Sequence, residues 1–386
     1  MSGPQSSIAI DVTRLASRLL EGQSPTGVDR VSLAYLAHFE SEAWALLRHR
    51  RHWLALSRAS SQRIFCALQR ACPQAAQTIR REALRGHITR GRHPKDAWFL
   101  NTGHSGLEEA HYVGQLSRRR YRPVYFLHDL IPITHPEYCR AGDADRHIRR
   151  VTHMLQTARG LIVNSVATYD ELWEFRHRHG LPSPPVLVAP LGFSLPSTAG
   201  PQPLLSRPYF LQLGTIEPRK NHLLTLQVWR RLAERLGPDC PTLVLIGRRG
   251  WECEQVVDLL DRTPALASHV VEIPHADDAR LATWIAHAKA LLFPSFTEGF
   301  GLPVLEALAL RVPVLASDLA VFRELAGEIP DYLDPLDGLG WLQAVCDYLD
   351  STHPRGIAQR ERMRDFKAPS WGGHFALIDD FLAHLA

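Results

Sequence analysis

Residues 293–306, F-P-S-F-T-E-G-F-G-L-P-V-L-E, decide the reading of this chain. An apolar stretch ends at Phe293, two glycines follow at Gly299 and Gly301, and Pro303 opens a second apolar run. Proline is favoured in the first turn of a helix, where its missing N–H is not needed. Glycines just before it let the backbone come close to a ligand. The pattern predicts a strand over 290–293, a loop, and a helix from Leu302 onward. A helix start offers free N–H groups and the positive end of its dipole, which together make an anion site. Glu298 at the loop mouth and Glu306 in the early helix are misplaced for phosphate alone. They fit a ligand that carries hydroxyl groups as well as phosphate, as a nucleotide-sugar does.

Outward from this stretch, short apolar strands alternate with amphipathic helices, the mark of parallel α/β units. In the first half strands are expected near 8–12, 98–100, 124–127, 161–163 and 186–189. In the second they are expected near 209–213, 243–246, 270–273, 290–293 and 314–316. Residues 195–208, L-P-S-T-A-G-P-Q-P-L-L-S-R-P, lack periodicity and are rich in Pro and small residues, so a linker is placed there. Residues 57–91 read as long helix, either a peripheral helical pair or an excursion toward a membrane or acceptor. A last helix over 370–386 carries Trp371, Phe375, Ile378, Phe381 and Leu382 at helical spacing.

A chain of 386 residues suggests two domains, and 45% hydrophobic with 22% charged residues is the balance of a soluble globular protein. No apolar run reaches the roughly 18 residues of a membrane span. The first seven residues, M-S-G-P-Q-S-S, lack the basic start and apolar core of a signal peptide. Six cysteines without a C-x-x-C pair read as reduced thiols, so the expected location is the cytoplasm. The net charge of +4 hides an asymmetry, +10 over residues 1–200 and −6 over 201–386. Residues 48–95 hold 12 basic side chains against Glu82 alone, with Asp96 next in the chain, and residues 118–122 add more. Such a patch suits phosphates of an acceptor or an anionic membrane surface, or it is simply solvated helix faces. Arginines number 40 and lysines four, so Lys220 stands out.

The stretch 293–306 resembles the donor-site signature of retaining glycosyltransferases of the GT-B fold, family 4 (group 1). Residues 209–222, Y-F-L-Q-L-G-T-I-E-P-R-K-N-H, resemble the family's strand and basic loop for the donor diphosphate. Residues 311–324 resemble the strand and helix that follow, 8–30 the first strand and glycine loop, and 126–132 (F-L-H-D-L-I-P) a cleft-edge segment. The resemblance implies an α/β fold of two Rossmann-like doubly wound domains facing a cleft. It places an acceptor-binding domain at 1–195, a linker at 196–207 and a nucleotide-sugar domain at 208–369. A helix at 370–386 would cross back onto the first domain. By the same resemblance, Arg219 and Lys220 bind the donor diphosphate with Gly214 and Thr215, Glu298 meets the sugar hydroxyls, and Glu306 takes the ribose diol. The amides of Gly299, Phe300, Gly301 and Leu302 face sugar or phosphate, Gly27 closes over the phosphates, and Arg248 lies near the base. His128 would sit by the reacting carbon. Thr215 stands where many members have Arg, and Arg311 where they usually have Gly.

The implied reaction moves a sugar from a nucleotide diphosphate donor to a glycan or lipid-linked oligosaccharide with retention, as mannosyl- and rhamnosyl-transferring members do in bacterial surface polysaccharide synthesis. GDP-mannose is the favoured donor, with UDP- and dTDP-sugars open. No cofactor or metal is implied, since the nucleotide-sugar is a co-substrate. Fixed cations and a helix N-terminus are suited to the leaving-group charge. A nucleotide-sugar hydrolase or epimerase of the same fold and a non-catalytic scaffold are the alternatives. Asp143 and Asp145 match D-x-D, yet they open an arginine-rich helical stretch rather than a loop after a strand, so no metal is assigned to them. The His49/His52 and His177/His179 pairs lack companion ligands. No G-x-G-x-x-G follows the first strand, which argues against a dinucleotide oxidoreductase, and no nucleic-acid motif accompanies the basic patch.

Overall fold

A computed structural model describes residues 7–49, 52–70, 72–89, 95–193, 200 and 202–385. The chain forms two compact units: Met1–Ile133 with Ala144–Leu191 and Trp371–Ala386, and Thr134–Asp143 with Gly192–Ser370. Residues 195–199 and 201 of the expected linker lie outside the described residues. Thr134–Asp143, inside the span read as the first domain, belongs to the second unit. It is held there by Tyr138 stacked on Phe296 (centroids 5.1 Å apart) and by Arg140 over Trp251.

The first unit is built on seven strands: β1 (Ile8–Asp11), β2 (Ala43–His49), β3 (His52–Ala55), β4 (Trp98–Asn101), β5 (Arg122–Leu127), β6 (Gly160–Val163) and β7 (Val186–Val188). Their order across the sheet is β3-β2-β1-β4-β5-β6-β7, parallel except for β3 on β2. The end of β2 and all of β3 fall within the stretch read from sequence as a basic patch. Strand β2, A-W-A-L-L-R-H, is apolar and buried up to Arg48, and Arg48 is buried too because Asp11 neutralises it. Within residues 57–91 two helices form, Arg58–Arg70 and Ala75–Thr89, as the reading of a helical pair expects. Pro73 disfavours helical backbone at the residue before it, which breaks the run. Gly91 lies outside the described residues.

The terminal helix Trp371–His384 packs within this first unit, as the GT-B reading expects. Phe375 stacks on His38 and meets Tyr35 edge-on, and His374 bonds the Tyr35 hydroxyl and the Pro190 carbonyl. Gly160, at the start of β6, has no room for a Cβ against Phe381 and Leu385. Burying Phe375, Ile378 and Leu382 contributes about 1.5–3 kcal/mol each, which explains why the chain returns here.

The second unit carries β8 (Tyr209–Leu213), β9 (Thr242–Ile246), β10 (Val270–Ile273), β11 (Leu291–Phe293), β12 (Val314–Ser317) and β13 (Asp331–Leu333). All are parallel, in the order β10-β9-β8-β11-β12-β13. Strand β13, only three residues long, was not anticipated from sequence. Both sheets are doubly wound. Chain order reverses between β1 and β4 in one unit and between β8 and β11 in the other. Loops leaving the carboxyl ends of such a strand pair run in opposite directions and leave a crevice where ligands bind.

Candidate functional site

In the second unit the crevice between β8 and β11 collects the residues read from 209–222 and 293–306. Strand β8 runs into Gly214 and Thr215. The chain then turns through a short 3-10 turn, Pro218–Lys220, into the helix His222–Leu236. Strand β11 runs into Pro294 and Ser295, then through Glu298 and the glycines into the helix Leu302–Ala309. Gly301 caps that helix with φ +115°, a conformation L side chains rarely adopt, and a Cβ there would lie 2.7 Å from the Phe322 ring. Gly247, after β9, has φ +157°, and a Cβ there would lie 2.0 Å from the Gly214 carbonyl oxygen, so this crossing requires glycine as well.

Glu298 lies at the centre of the cluster and is almost wholly buried, with a side chain 7% exposed. Arg219 donates from Nη1 to its Oε2 at 2.7 Å, Lys220 donates from Nζ to its Oε1, and Ser295 donates from its hydroxyl at 2.8 Å. Arg219 also holds Glu217 through Nε at 2.5 Å. Backbone bonds fix the arrangement: the Phe296 amide donates to the Arg219 carbonyl at 2.8 Å, and Gln212 donates to the Lys220 carbonyl at 2.9 Å. Burial pushes the Glu298 carboxyl up, but Arg219, Lys220 and the hydrogen bonds outweigh it and bring its pKa down to about 2. Burial lowers the pKa of Lys220, and Glu298 partly restores it. Glu217 is raised by burial against the pull of the two cations. Two carboxylates and two cations therefore compensate one another. A phosphate entering the crevice would compete with Glu298 for the same two cations.

Thr215 and Leu302 are half-buried and Phe300 is buried. Glu306 lies half-buried in the first turns of its helix, and Arg248 is exposed, its carbonyl taking the Ile216 amide. Arg311 stands at φ +61°, the left-handed backbone that glycine adopts freely, so the expected turn geometry persists with a different residue. Sequence reasoning missed Ser295, Glu217 and Gln212. A buried carboxylate needs every acceptor lone pair satisfied. The polar residues three before Glu298 and two before Arg219 were the available signal.

In the first unit His128 follows β5 and is buried. Its Nε2 lies 2.7 Å from the Thr102 carbonyl. A carbonyl only accepts, so Nε2 carries the hydrogen and Nδ1 is the ring's acceptor. Burial lowers the pKa to about 4, which keeps the ring neutral at pH 7. Asp129 does not orient this ring through a hydrogen bond to it; it caps the following turn through the Ile131 amide. Gly27 opens the helix Gly27–Phe39, and a Cβ there would meet nothing within 4 Å. Asp29, in the first turn of that helix, is buried and bound to Arg14, Arg18 and the Thr26 amide. Asp143 and Asp145 lie in the first turn of the helix Asp143–Thr157. Of the arginines at 118–120, Arg119 lies over Trp53 and Arg120 pairs with Asp96. Among the described residues no helix is long and apolar enough to cross a membrane.

Residues 201–328 match the family model of glycosyl transferases group 1. The serotype-specific mannosyltransferase WbdA of Escherichia coli is 31% identical over 251 residues, 60% of this chain but 31% of WbdA. The chain thus aligns with about a third of the length of that relative. The O-antigen chain mannosyltransferase B of Escherichia coli is 29% identical over 76% of this chain and 78% of that protein. In fold, the chain is similar to Anabaena HepE in complex with UDP and glucose, at TM-score 0.69 and 16% identity over 98% of this chain and all of that one. It is also similar to sucrose-phosphate synthase of Thermosynechococcus elongatus, at TM-score 0.64 and 16% identity over 99% of each chain.

Proposed function

We propose that this chain is a group 1 glycosyltransferase, the family whose model its residues 201–328 match, and that it transfers a sugar from a nucleotide diphosphate donor to a glycan. Mannose from GDP-mannose is the first choice, since WbdA and the O-antigen chain mannosyltransferase B are mannosyltransferases by name. One observation carries the reading: a buried carboxylate, Glu298, held by two adjacent cations at the crevice between β8 and β11. Breaking a glycosyl–diphosphate bond builds negative charge on the departing phosphate, and preorganised cations stabilise that charge as it forms. Arg219 and Lys220 transfer part of their contact from Glu298 to the phosphate, and Glu298 is released to accept hydrogen bonds from sugar hydroxyls. Glu306 takes the ribose diol, and the amides after Gly299 add the field of a helix start. His128, neutral with Nδ1 as acceptor, takes a sugar hydroxyl.

The acceptor oxygen attacks from the face that the diphosphate leaves, and the departing phosphate oxygen takes its proton, so configuration is retained. The protein supplies positioning and charge rather than a general base. Arg219, Lys220 and the helix N-terminus do the neutralising, so turnover is expected to survive EDTA. The reaction is placed in surface polysaccharide synthesis, on the cytoplasmic side. The test is transfer itself: nucleotide release that requires an acceptor, with kcat/KM falling at least about a hundredfold in Lys220→Ala. Release at the same rate without acceptor would favour the hydrolase reading, and an unaffected Lys220→Ala enzyme would sink the assignment.

A further inference from the structure

Thr134–Asp143 belongs to the second unit, although the residues before and after it belong to the first. This strap is built to hold a shape. Pro136 fixes its own φ near about −65° and keeps His135 out of helical backbone, at φ −137°. The chain makes one 3-10 turn, Pro136–Tyr138, and leaves through Gly142 at φ +81° into the helix Asp143–Thr157. The turn aligns three rings. His135 lies 6.1 Å from Tyr138 and nearly parallel to it, and Tyr138 lies 5.1 Å from Phe296 at an interplanar angle of 5°. Two residues on, the Arg140 guanidinium lies 4.9 Å from the centre of the Trp251 ring.

Phe296 and Trp251 stand on opposite flanks of the loop that carries Arg219 and Lys220. Strand β8, from which that loop issues, lies between β9 and β11. On the β11 flank the Phe296 amide donates to the Arg219 carbonyl at 2.8 Å, two residues before Glu298. On the β9 flank the Gly250 amide donates to the Ile216 carbonyl at 2.9 Å, beside Trp251. A Cβ on Gly250 would lie 2.7 Å from Cγ2 of Thr215, so the two segments touch. Tyr138 and Arg140 are at most about 7 Å apart along the chain, so one short segment grips both flanks of the basic loop. The Glu298 carboxylate works only while its loop stays aligned with the two cations, and Tyr138 is stacked on that loop.

We infer that the strap braces the donor site. Tyr138 and Arg140 are positioning residues that hold the Glu298 loop and the loop after β9 in register with Arg219 and Lys220, so that a nucleoside diphosphate meets cations already aligned. The inference rests on the transferase reading above. A strap that only covered the crevice would compete with the nucleotide, and loosening it would tighten binding; a brace gives the opposite sign. GDP and UDP are titrated by calorimetry into the full chain, wild type and Tyr138→Ala, Tyr138→Phe, Arg140→Ala, Phe296→Ala and the Tyr138→Ala/Phe296→Ala pair. Tyr138 is half-buried and Arg140 exposed, so the variants should fold, and their unfolding transitions check this. The nucleotide that binds the wild type should bind about three- to tenfold more weakly to Tyr138→Ala and to Arg140→Ala, the range for loss of one stacked or cation–π pair. Tyr138→Phe should restore affinity, and the double variant should be no weaker than the weaker single one, because both changes remove the same stack. Without nucleotide, hydrogen exchange over 294–300 should rise in Tyr138→Ala and stay at the wild-type level in Tyr138→Phe. Affinity unmoved or tightened in the two alanine variants at 138 and 140, or fully additive losses in the double variant, would overturn the inference. Failure of every nucleotide to bind the wild type would instead sink the transferase reading, and exchange over 294–300 would still decide whether the strap braces that loop.

Discussion

Replacing Glu298 by Gln keeps its shape and removes its charge. In the folded protein the carboxyl titrates at about 2 against 4.5 for an ordinary Glu, and its side chain is nearly solvent-free. At about 1.36 kcal/mol per unit, the shift corresponds to about 3 kcal/mol of stabilisation at pH 7. Loss of a buried pair's partner is expected to cost about as much, because Arg219 and Lys220 would stay buried facing a neutral amide. The folded pKa lies below the unfolded one. The contribution is therefore full above pH 4.5, shrinks as pH falls through the interval from 4.5 to 2, and is gone below it. For a unit of this size 3 kcal/mol is about 6–12 °C in Tm. Calorimetry of wild type and Glu298→Gln at pH 7, 5, 4 and 3 should show that gap at the first two values and its narrowing at the last two. Nucleoside diphosphate binding should survive or tighten, since the cations no longer share their charge, while sugar transfer collapses. A Tm within 1 °C of wild type at pH 7, or a gap that does not change with pH, would refute the argument that this carboxylate is clamped by the two cations.

Gly301→Ala forces a Cβ to within 2.7 Å of Phe322 in a backbone region unfavourable to L residues. It should cost about 2–4 kcal/mol by urea unfolding and abolish nucleotide binding, whereas an unchanged midpoint would contradict the geometry. Gly27→Ala meets only open space, so stability should hold. A rise in donor KM at constant Tm would then place Gly27 against the ligand, and an unchanged KM would remove it from the site. His128→Gln tests the neutral ring. Its folded pKa of about 4 lies below the ordinary 6.5, so stability falls by up to about 3 kcal/mol as pH drops from 6.5 to 4, and the variant should lack that slope. Glu306→Ala should erase the nucleotide-induced Tm rise, about 2.7 kcal/mol at a hundredfold excess over Kd, and a retained rise would exclude Glu306 from the ribose.

Periodicity made most of this fold legible. The strand read at 209–213 coincides with β8, because parallel strands buried on both faces are continuous apolar runs bounded by Gly, Pro or charge. The strand read at 270–273 coincides with β10, a half-buried edge strand whose V-V-E-I run is β-branched. The hairpin β2–β3 was obscured by the arginines at its end, whose charge reads as surface. Asp11, ending the apolar run I-A-I-D, was the visible sign that one of them would be drawn inside. In the candidate site, the motif reading brought Lys220, Arg219 and Glu298 to one crevice. It gave the two cations the diphosphate and Glu298 the sugar, and only the three-dimensional structure shows that they hold one another. Sequence could not reveal that, because the contact joins residues 78 and 79 positions apart through the register of β8 on β11. The ion pairs Arg48–Asp11 and Arg150–Glu108 of the first unit were hidden for the same reason, joining residues 37 and 42 positions apart.

The central claim is acceptor-dependent sugar transfer, and mass spectrometry of the acceptor tests it most directly. The full chain would be incubated with a neutral mannooligosaccharide and, separately, GDP-mannose, UDP-glucose and a dTDP-sugar, each with and without EDTA. The account predicts an acceptor longer by one hexose with a single donor, GDP-mannose first, unaffected by EDTA and lost in Lys220→Ala. Free nucleotide with an unextended acceptor, or an identical product yield from Lys220→Ala, would contradict it.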